Sequence, residues 1–502
     1  MTRRLAGAAF WILLALLVVA NALVMWHSLT VLRLWEDEAF NLTVPRNLLA
    51  GLGYTSDGTL SGSTLTPFDP RISTGPVVLL PAAGVLMLGV DPVIGARLVP
   101  LAYWVLLLVG CAVLGRRVAG RSGALIAVAL PLAFNTAESV SPIQGPADLL
   151  GEIPAAALIV WALIALPRRG WLAGLLLGLA VQAKLIALLA LPAFAVALFL
   201  LTPPAPFGRR LVATLRRSVL PLVLVAAPTL LIELVALVSL GATGYARHVR
   251  ALGGFLLSGG QHIAPTTVPQ KLGTLAGAWF VPWWLMAAAV ALAVAAGIWA
   301  AVPARGTAPS GARRRWWQRD PQLLALGLGS AVGLLAFVGW WAQASQLPLW
   351  VRHPAVGVFA FAPVLAAIAA RAVMALWHRR SPSGSPSPAR FLAVAAAVLL
   401  GVVVSAGVAG DAARAARPPM TETLAQQRAA IAPLAEWVRD NDVTWLAAKP
   451  WGGPVSSVVL TGAHVGLFDA PAMRRTPTLE YGACGTGSPL AAAGGIVICP
   501  AP

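Results

Sequence analysis

Apolar runs near or above twenty residues recur along this chain, and no other feature narrows its fold as sharply. About twenty residues of helix cross the hydrocarbon of a bilayer. Inside a bilayer only helices and closed barrels leave no backbone polar group unpaired. Runs of this length read as helices, and we place spans at 8–30, 93–114, 121–138, 152–167, 170–183, 185–201, 218–240, 276–302, 321–342, 354–377 and 391–410. The expectation is an all-α multispanning membrane protein with about 11 transmembrane helices. Composition agrees: 58% of the 502 residues are apolar and 11% charged, against roughly 25% charged in soluble domains. The first 26 residues also look like a signal peptide, with a small-x-small site at Ala20-Asn21-Ala22. The apolar run continues past that site to Trp26, so we read a retained span. Residues 75–90 are too short and carry Pro76 and Pro81, which places them at the interface or as a re-entrant piece.

Charge sets the orientation. With the N-terminus in the cytoplasm, the inner segments carry many arginines (Arg116, Arg117, Arg168, Arg169, Arg209, Arg210, Arg216 and Arg217 among them) and one acid, Asp320. Nearly every other carboxylate falls outside. This is the positive-inside asymmetry, and it accounts for the +18 formal charge without a nucleic-acid partner. The arginine-rich, lysine-poor composition, with many Gly, Pro and Ala, suggests a GC-rich bacterial genome and a plasma-membrane location. The domains divide as 1–410, transmembrane and including an outer loop at 31–92, and 411–502, a small extracytoplasmic α/β domain. The latter shows a helix at 421–439 and strand-like runs at 445–448, 456–460 and 496–499. Cys111 reads as a core residue. Cys484 and Cys499 lie in the outer tail, where an oxidising compartment permits a disulfide.

The polar segment 34–69 opens with three consecutive carboxylates, Glu36, Asp37 and Glu38. Residues 38–50 pattern as a helix along the membrane, with Phe40, Val44 and Leu48 on one face. Pro45 should kink it, and Gly51 and Gly53 end it. Acids at a helix start can simply answer the helix dipole, but one suffices for that and three repel one another. Opposite them stand cations. Lys184, at the tip of a hairpin formed by 170–183 and 185–201, and Arg352-His353-Pro354 each begin an inward-running helix. A cation there opposes the dipole unless an anion lies between, which suggests a bound phosphate; the alternative is membrane anchoring by snorkelling. Arg71, Arg97, Arg247, His248, Arg250, His262 and Lys271 are further outer cations able to join such a site. Glu152, with Asp148 nearby, is either a first-turn acid or a pocket residue. Glu233 lies inside a span, where it must face protein or water. Asn41-Leu42-Thr43 is a weak glycosylation sequon. No zinc-ligand spacing and no phosphate-binding glycine loop occurs, so no nucleotide site is expected.

Four stretches carry a family resemblance. DEAFNLTVPRNLLAGLGY (37–54) resembles the first outer loop of the C-type glycosyltransferases, membrane enzymes that use polyprenyl-phosphate sugars. STGPVVLLPAAGVLMLGVDPVIGARLVP (73–100), GLLLGLAVQAKLIALLALPA (174–193) and WVRHPAVGVFAFAPVL (350–365) agree with it. Protein O-mannosyltransferases and the aminoarabinose transferases of lipid A are the nearest in appearance. The resemblance implies that Asp37 is the loop acid acting as general base and Glu38 its partner. It implies that Lys184 and Arg352, with His353 and Arg71, lie at the donor phosphate. Glu36, Glu152, Arg247, His248 and His262 remain pocket candidates. No cofactor is required; a divalent metal, if used, would sit on Asp37 and Glu38. The partners expected are a polyprenyl-phosphate sugar, a glycan, lipid or protein acceptor, and the bilayer. Two departures bear on sugar and acceptor: Thr74-Gly75-Pro76 stands where a basic residue precedes Pro-Pro, and Arg352-His353 where the family has Arg-Tyr. A secondary transporter would instead show paired broken helices and mid-span ionisable residues. A degenerate assembly protein would keep the terminal domain without the chemistry.

Overall fold

The computed structural model describes residues 2–62, 74–137, 141–258, 264–301, 320–378, 388–449, 452–467, 470–485 and 487–501. Its helices, in order, are α1 (Thr2–Thr30), α2 (Glu36–Leu49), α3 (Asp57–Leu60), α4 (Pro76–Leu86) and α5 (Pro92–Ala133). There follow α6 (Glu152–Ala165), α7 (Gly170–Ala183), a 3-10 turn at Leu185–Ala190, α8 (Leu191–Leu201), α9 (Phe207–Ser258) and α10 (Val268–Gly277). The last long helices are α11 (Trp283–Ala301), α12 (Pro321–Gln343), α13 (Arg352–Trp377) and α14 (Pro388–Ala415). Among the described residues 7 helices are long and apolar enough to cross a membrane, and α4, α6, α7 and the Leu185–Leu201 segment are shorter apolar helices.

Two of the long helices fold back on themselves. α5 breaks at Ala119 and Gly120, where Gly120 takes φ +64°. A Cβ on Gly115 would lie 2.3 Å from the Gly123 carbonyl oxygen, so the two arms touch through glycine alone. They correspond to the spans expected at 93–114 and 121–138. α9 turns at Gly241, φ +66°. Beyond it Tyr245 Oη lies 2.8 Å from Glu233 Oε2, although twelve residues of straight helix would separate them by about 18 Å. The stretch expected as an outer loop at 241–273 is therefore largely helical, running to Ser258 and resuming in α10 behind a Thr267/Gln270 capping box. Glu233 inside its span is met by Tyr245 and, at 3.9 Å, by His248.

Within the bundle α13 packs on α5, α6 and α12, and α6 on α7. α6 buries nearly its whole Ala-rich surface. Lys184 follows α7 as expected, but the arms of the expected hairpin part there: α7 packs against α9, where Gly174 and Gly178 admit the α9 backbone, and α8, beyond the 3-10 turn, against α12.

The chain after α14 forms a small mixed α/β unit with α15 (Leu424–Asp440), β1 (Trp445–Ala448), α16 (Gly453–Thr461), β2 (His464–Leu467), β3 (Thr478–Tyr481), β4 (Ala491–Ala493) and β5 (Ile496–Cys499). The strand order is β2-β1-β3-β5-β4, with β1 parallel to β2 and β3 and the other pairs antiparallel. One expectation fails: residues 456–460 are helical. Pro454 at the first turn and Gly462 at φ +94° frame a helix, and Val455, Val458 and Val459 bury one face at helical spacing. A short apolar run fits either period, and the Gly-Pro start decides. Cys484 and Cys499 are disulfide-bonded, and Cys111 is free and buried.

Candidate active site

α2 begins at Glu36, two residues before the expected start, and contains Pro45 without a break. Successive residues of a helix point about 100° apart, so the three acids enter three surroundings. Glu36 faces the surface beside Arg33, at 3.6 Å. Glu38 is 1% exposed and takes two 2.7 Å bonds, from Arg97 Nε and Nη2. The remaining Arg97 donors bind the carbonyls of Leu29, Leu32 and Arg33. Both side chains are thereby consumed in joining the end of α1 to the start of α2. Asp148 completes this cluster. Its Oδ2 accepts from the Gln144 amide at 2.6 Å. Burial first, then the nearby Glu38 charge, push its pKa up to about 8, against the pull of Arg97. One guanidinium serves two carboxyls, and Asp148 is the one that holds a proton.

Asp37 differs. Its side chain is 34% exposed, and a single contact of 2.6 Å joins its Oδ2 to Arg352 Nη1. Arg352 opens α13 and lies over the rings of Trp350 and Trp35, at 4.8 and 5.7 Å, faces that stabilise a guanidinium. The ion pair ties the start of α2 to the start of α13, the most buried of the long helices in the bundle.

The second expected cation, Lys184, sits 3.1 Å from Glu152 at the start of α6. The other Glu152 oxygen is buried with no hydrogen-bond partner among the described residues. Backbones converge here. A Cβ on Gly151 would lie 2.0 Å from the Ala183 carbonyl oxygen, which also accepts from Gly75 N. Asn41 Nδ2 bridges Thr74 Oγ1 and the Leu149 carbonyl. Thus the ends of α2, α4, α6 and α7 are bonded together at one place. His353 stacks on Trp350 with centroids 5.6 Å apart. Its Nε2 is buried with no hydrogen-bond partner among the described residues, and the charges of Arg352, Lys184 and Lys271 all bear on the ring. Lys271, fully buried, donates to the Trp341 carbonyl at 2.6 Å and to that of Ala344. It closes the C-terminal end of α12, where a cation is favoured, and so holds the segment that leads into Arg352.

The expected residues are thus partly assembled. Asp37, Arg352 and His353 adjoin one another, and Lys184 with Glu152 lies close enough to act on His353. Glu38 is beside them but sealed. Arg247 is exposed on the arm of α9 beyond Gly241, and His248 is engaged with Glu233. Arg71 and His262 lie outside the described residues. Asp37 and Glu38 do not fit a shared metal: Glu38 has both oxygens on Arg97, and among the described residues no three His, Cys, Asp or Glu side chains converge. Sequence reasoning passed over Asn41, read only as a sequon, and left Arg97 among undistinguished cations. The available signal was periodicity, since Glu38 and Asn41 share a helix face, and the position of Arg97 within an apolar run.

No family model matches the chain, and no curated protein matches it. Solved structures do. ArnT of Cupriavidus metallidurans bound to undecaprenyl phosphate is similar with a TM-score of 0.60 at 12% identity, over 97% of both chains. Its apo state gives 0.61 at 14% identity, over 98% of both. The oligosaccharyltransferase of Archaeoglobus fulgidus, in complex with Zn and sulfate, gives 0.50 at 15% identity over 91% of this chain and 62% of its own. Over nearly its whole length this chain has the fold of ArnT, the C-type glycosyltransferase fold that the resemblance led us to expect.

Proposed function

We propose that the protein is an inverting glycosyltransferase that moves a sugar from a polyprenyl-phosphate donor to a hydroxyl of a cell-envelope acceptor on the extracytoplasmic face. The observation that carries this is Asp37, a carboxylate one-third exposed at a helix start and held by one oxygen, set among Arg352, Lys184 and His353, whose Nε2 has no hydrogen-bond partner among the described residues. The likeness to a protein solved with undecaprenyl phosphate supports a lipid-phosphate donor. In the reaction the acceptor oxygen bonds to the anomeric carbon as the carbon–oxygen bond to phosphate breaks. Asp37 takes the hydroxyl proton as general base, and the departing lipid phosphate keeps the bonding electron pair. Arg352, Lys184 and His353 face the charge that grows on that phosphate, a preorganised electrostatic role. Attack opposite the phosphate inverts the anomeric centre. The N-terminus lies in the cytoplasm and the unit after α14 outside, beside the donor site.

A transfer assay in detergent with a panel of polyprenyl-phosphate sugars and envelope acceptors tests the reading, with Asp37→Asn alongside. Transfer by the wild type and loss in the variant is the expected result. Equal transfer by both removes Asp37 from the mechanism, and no transfer from any donor restores the transporter reading.

A further inference from the structure

Each cation assigned to the donor phosphate is engaged with a carboxylate: Arg352 with Asp37 at 2.6 Å, Lys184 with Glu152 at 3.1 Å. Neither is a surface pair in free exchange with water. The Arg352 and Lys184 side chains are 11% and 17% exposed, and Glu152 only 3%. His353 follows Arg352 in the chain and feels the charge of Lys184, and its buried Nε2 bonds to nothing among the described residues. The cluster therefore has the shape of an anion site whose cations are answered, in the absence of ligand, by the protein's own acids.

From this we infer that Asp37 and Glu152 are resident counter-ions which a lipid phosphate displaces, so that donor binding releases the base. The inference rests on the transferase reading above for the role of Asp37, but the exchange itself concerns binding alone. The donor's phosphodiester has two unesterified oxygens and the sugar-free carrier has three, and in either case their lone pairs can take bonds from two cations and the His353 ring at once. A planar guanidinium suits it as well as it suits a carboxylate. As Arg352 turns from Asp37 to the phosphate, Asp37 loses its bond and becomes available to an acceptor hydroxyl. As Lys184 turns from Glu152, that carboxylate remains buried with two open oxygens, which opposes the exchange and keeps the phosphate affinity moderate. The order of events follows: donor first, then acceptor. Until a donor is present one oxygen of the base stays bonded to Arg352.

Affinity for undecaprenyl phosphate, the carrier without sugar, measures the exchange directly. Displacement requires that removing a resident carboxylate tightens binding, even when the carboxylate is the base. Asp37→Asn and Glu152→Gln are each expected to bind the carrier about tenfold more tightly than the wild type, the scale of a close charge pair in double-mutant cycles. The pairing makes a second demand. The gain from Asp37→Asn must vanish in an Arg352→Gln background, and that from Glu152→Gln in Lys184→Gln, because no cation is then left to release. Simple repulsion between carboxylate and phosphate would instead survive in those backgrounds. Unchanged or weaker binding in Asp37→Asn and Glu152→Gln overturns the inference, as does a gain that persists without its cation. The two arms use independent sites, so one variant that fails to fold leaves the other to decide. Failure of the binding cycles with sugar transfer intact sinks the exchange and spares the transferase; the expected cycles without any transfer do the reverse.

Discussion

Glu38 and Asp37 are neighbours in sequence, and each bonds to an arginine, yet the two pairs have opposite characters. The Glu38–Arg97 pair is sealed, both side chains 0–2% exposed and joined by two bonds. The Asp37–Arg352 pair has one contact and a carboxylate open to solvent on one side. The difference shows that a charge triplet is not one structural unit: 100° of helix rotation separates a sealed rivet from a carboxylate left half open. The strongest challenge to this contrast is Arg97→Met. It leaves Glu38 buried without a partner and three backbone carbonyls without donors, so a loss of about 3–5 kcal/mol is expected. Thermal unfolding in detergent checks it; a melting temperature equal to the wild type would show that the sealed pair is no scaffold.

Asp37→Asn attacks the other half. Loss of a positioned base should lower transfer by about 10²–10⁴-fold. Because the side chain is partly exposed and amide-isosteric, the melting temperature should stay within a few degrees of wild type. Initial rates and unfolding measured on the same preparation separate the two effects. A variant that loses fold and activity together would make Asp37 a second rivet.

Much of this was legible in the sequence, for physical reasons that also mark the limits. Apolar length and arginine placement report directly on the bilayer, which is why α1, α12, α13 and both arms of α5 lie where the hydropathy puts them. Asp37, Lys184 and Arg352 were visible because an isolated charge at a helix end has few bland explanations. What each charge bonds to was not visible. The expectation that phosphate answers Lys184 and Arg352 omitted Glu152 and Asp37 as intramolecular partners, since pairing between separate elements leaves no local pattern; the Arg352–Asp37 separation is 315 residues. Short elements failed for a different reason. The 456–460 run carries too few residues to show its period, and the helix beyond Gly241 is mostly exposed and so lacks a buried stripe.

The cluster behind Glu38 gives a pH test. Asp148 titrates at 3.8 in an unfolded chain and near 8 in the folded one, so the folded state holds a proton that the unfolded state has released. Its contribution to stability is complete below pH 3.8, declines through the interval, and is gone once the pH passes 8. Asp148→Asn mimics the protonated form and removes this dependence. Melting temperatures of wild type and variant should therefore be close near pH 4 and diverge steadily towards pH 8, with the variant the more stable there. A constant difference across that range would show that burial does not hold a proton on Asp148.

A third carboxylate extends the comparison at a smaller scale. Asp57, 2% exposed at the start of α3, accepts from Asn47 Nδ2 at 2.8 Å and from the Val465 amide at 2.8 Å, and meets His464 Nδ1 at 3.0 Å. It is sealed like Glu38, but two of these three partners, His464 and Val465, belong to β2, so it docks the terminal unit onto the opening segment. Arg46 works beside it by donating to the carbonyls of Val459 and Gly462. Asp57→Asn keeps the shape but replaces an acceptor with a donor that faces another donor. The expected cost is about 1–3 kcal/mol, that of one unsatisfied buried group, below the cost of Arg97→Met. The loss should also be local. Amide exchange should quicken across His464–Leu467 while the first turns of α13 keep their protection, because the Asp37–Arg352 pair does not pass through this joint. Faster exchange at both places would mean that the terminal unit and the candidate active site move as one body, and that the base is positioned in part by the domain docked above it.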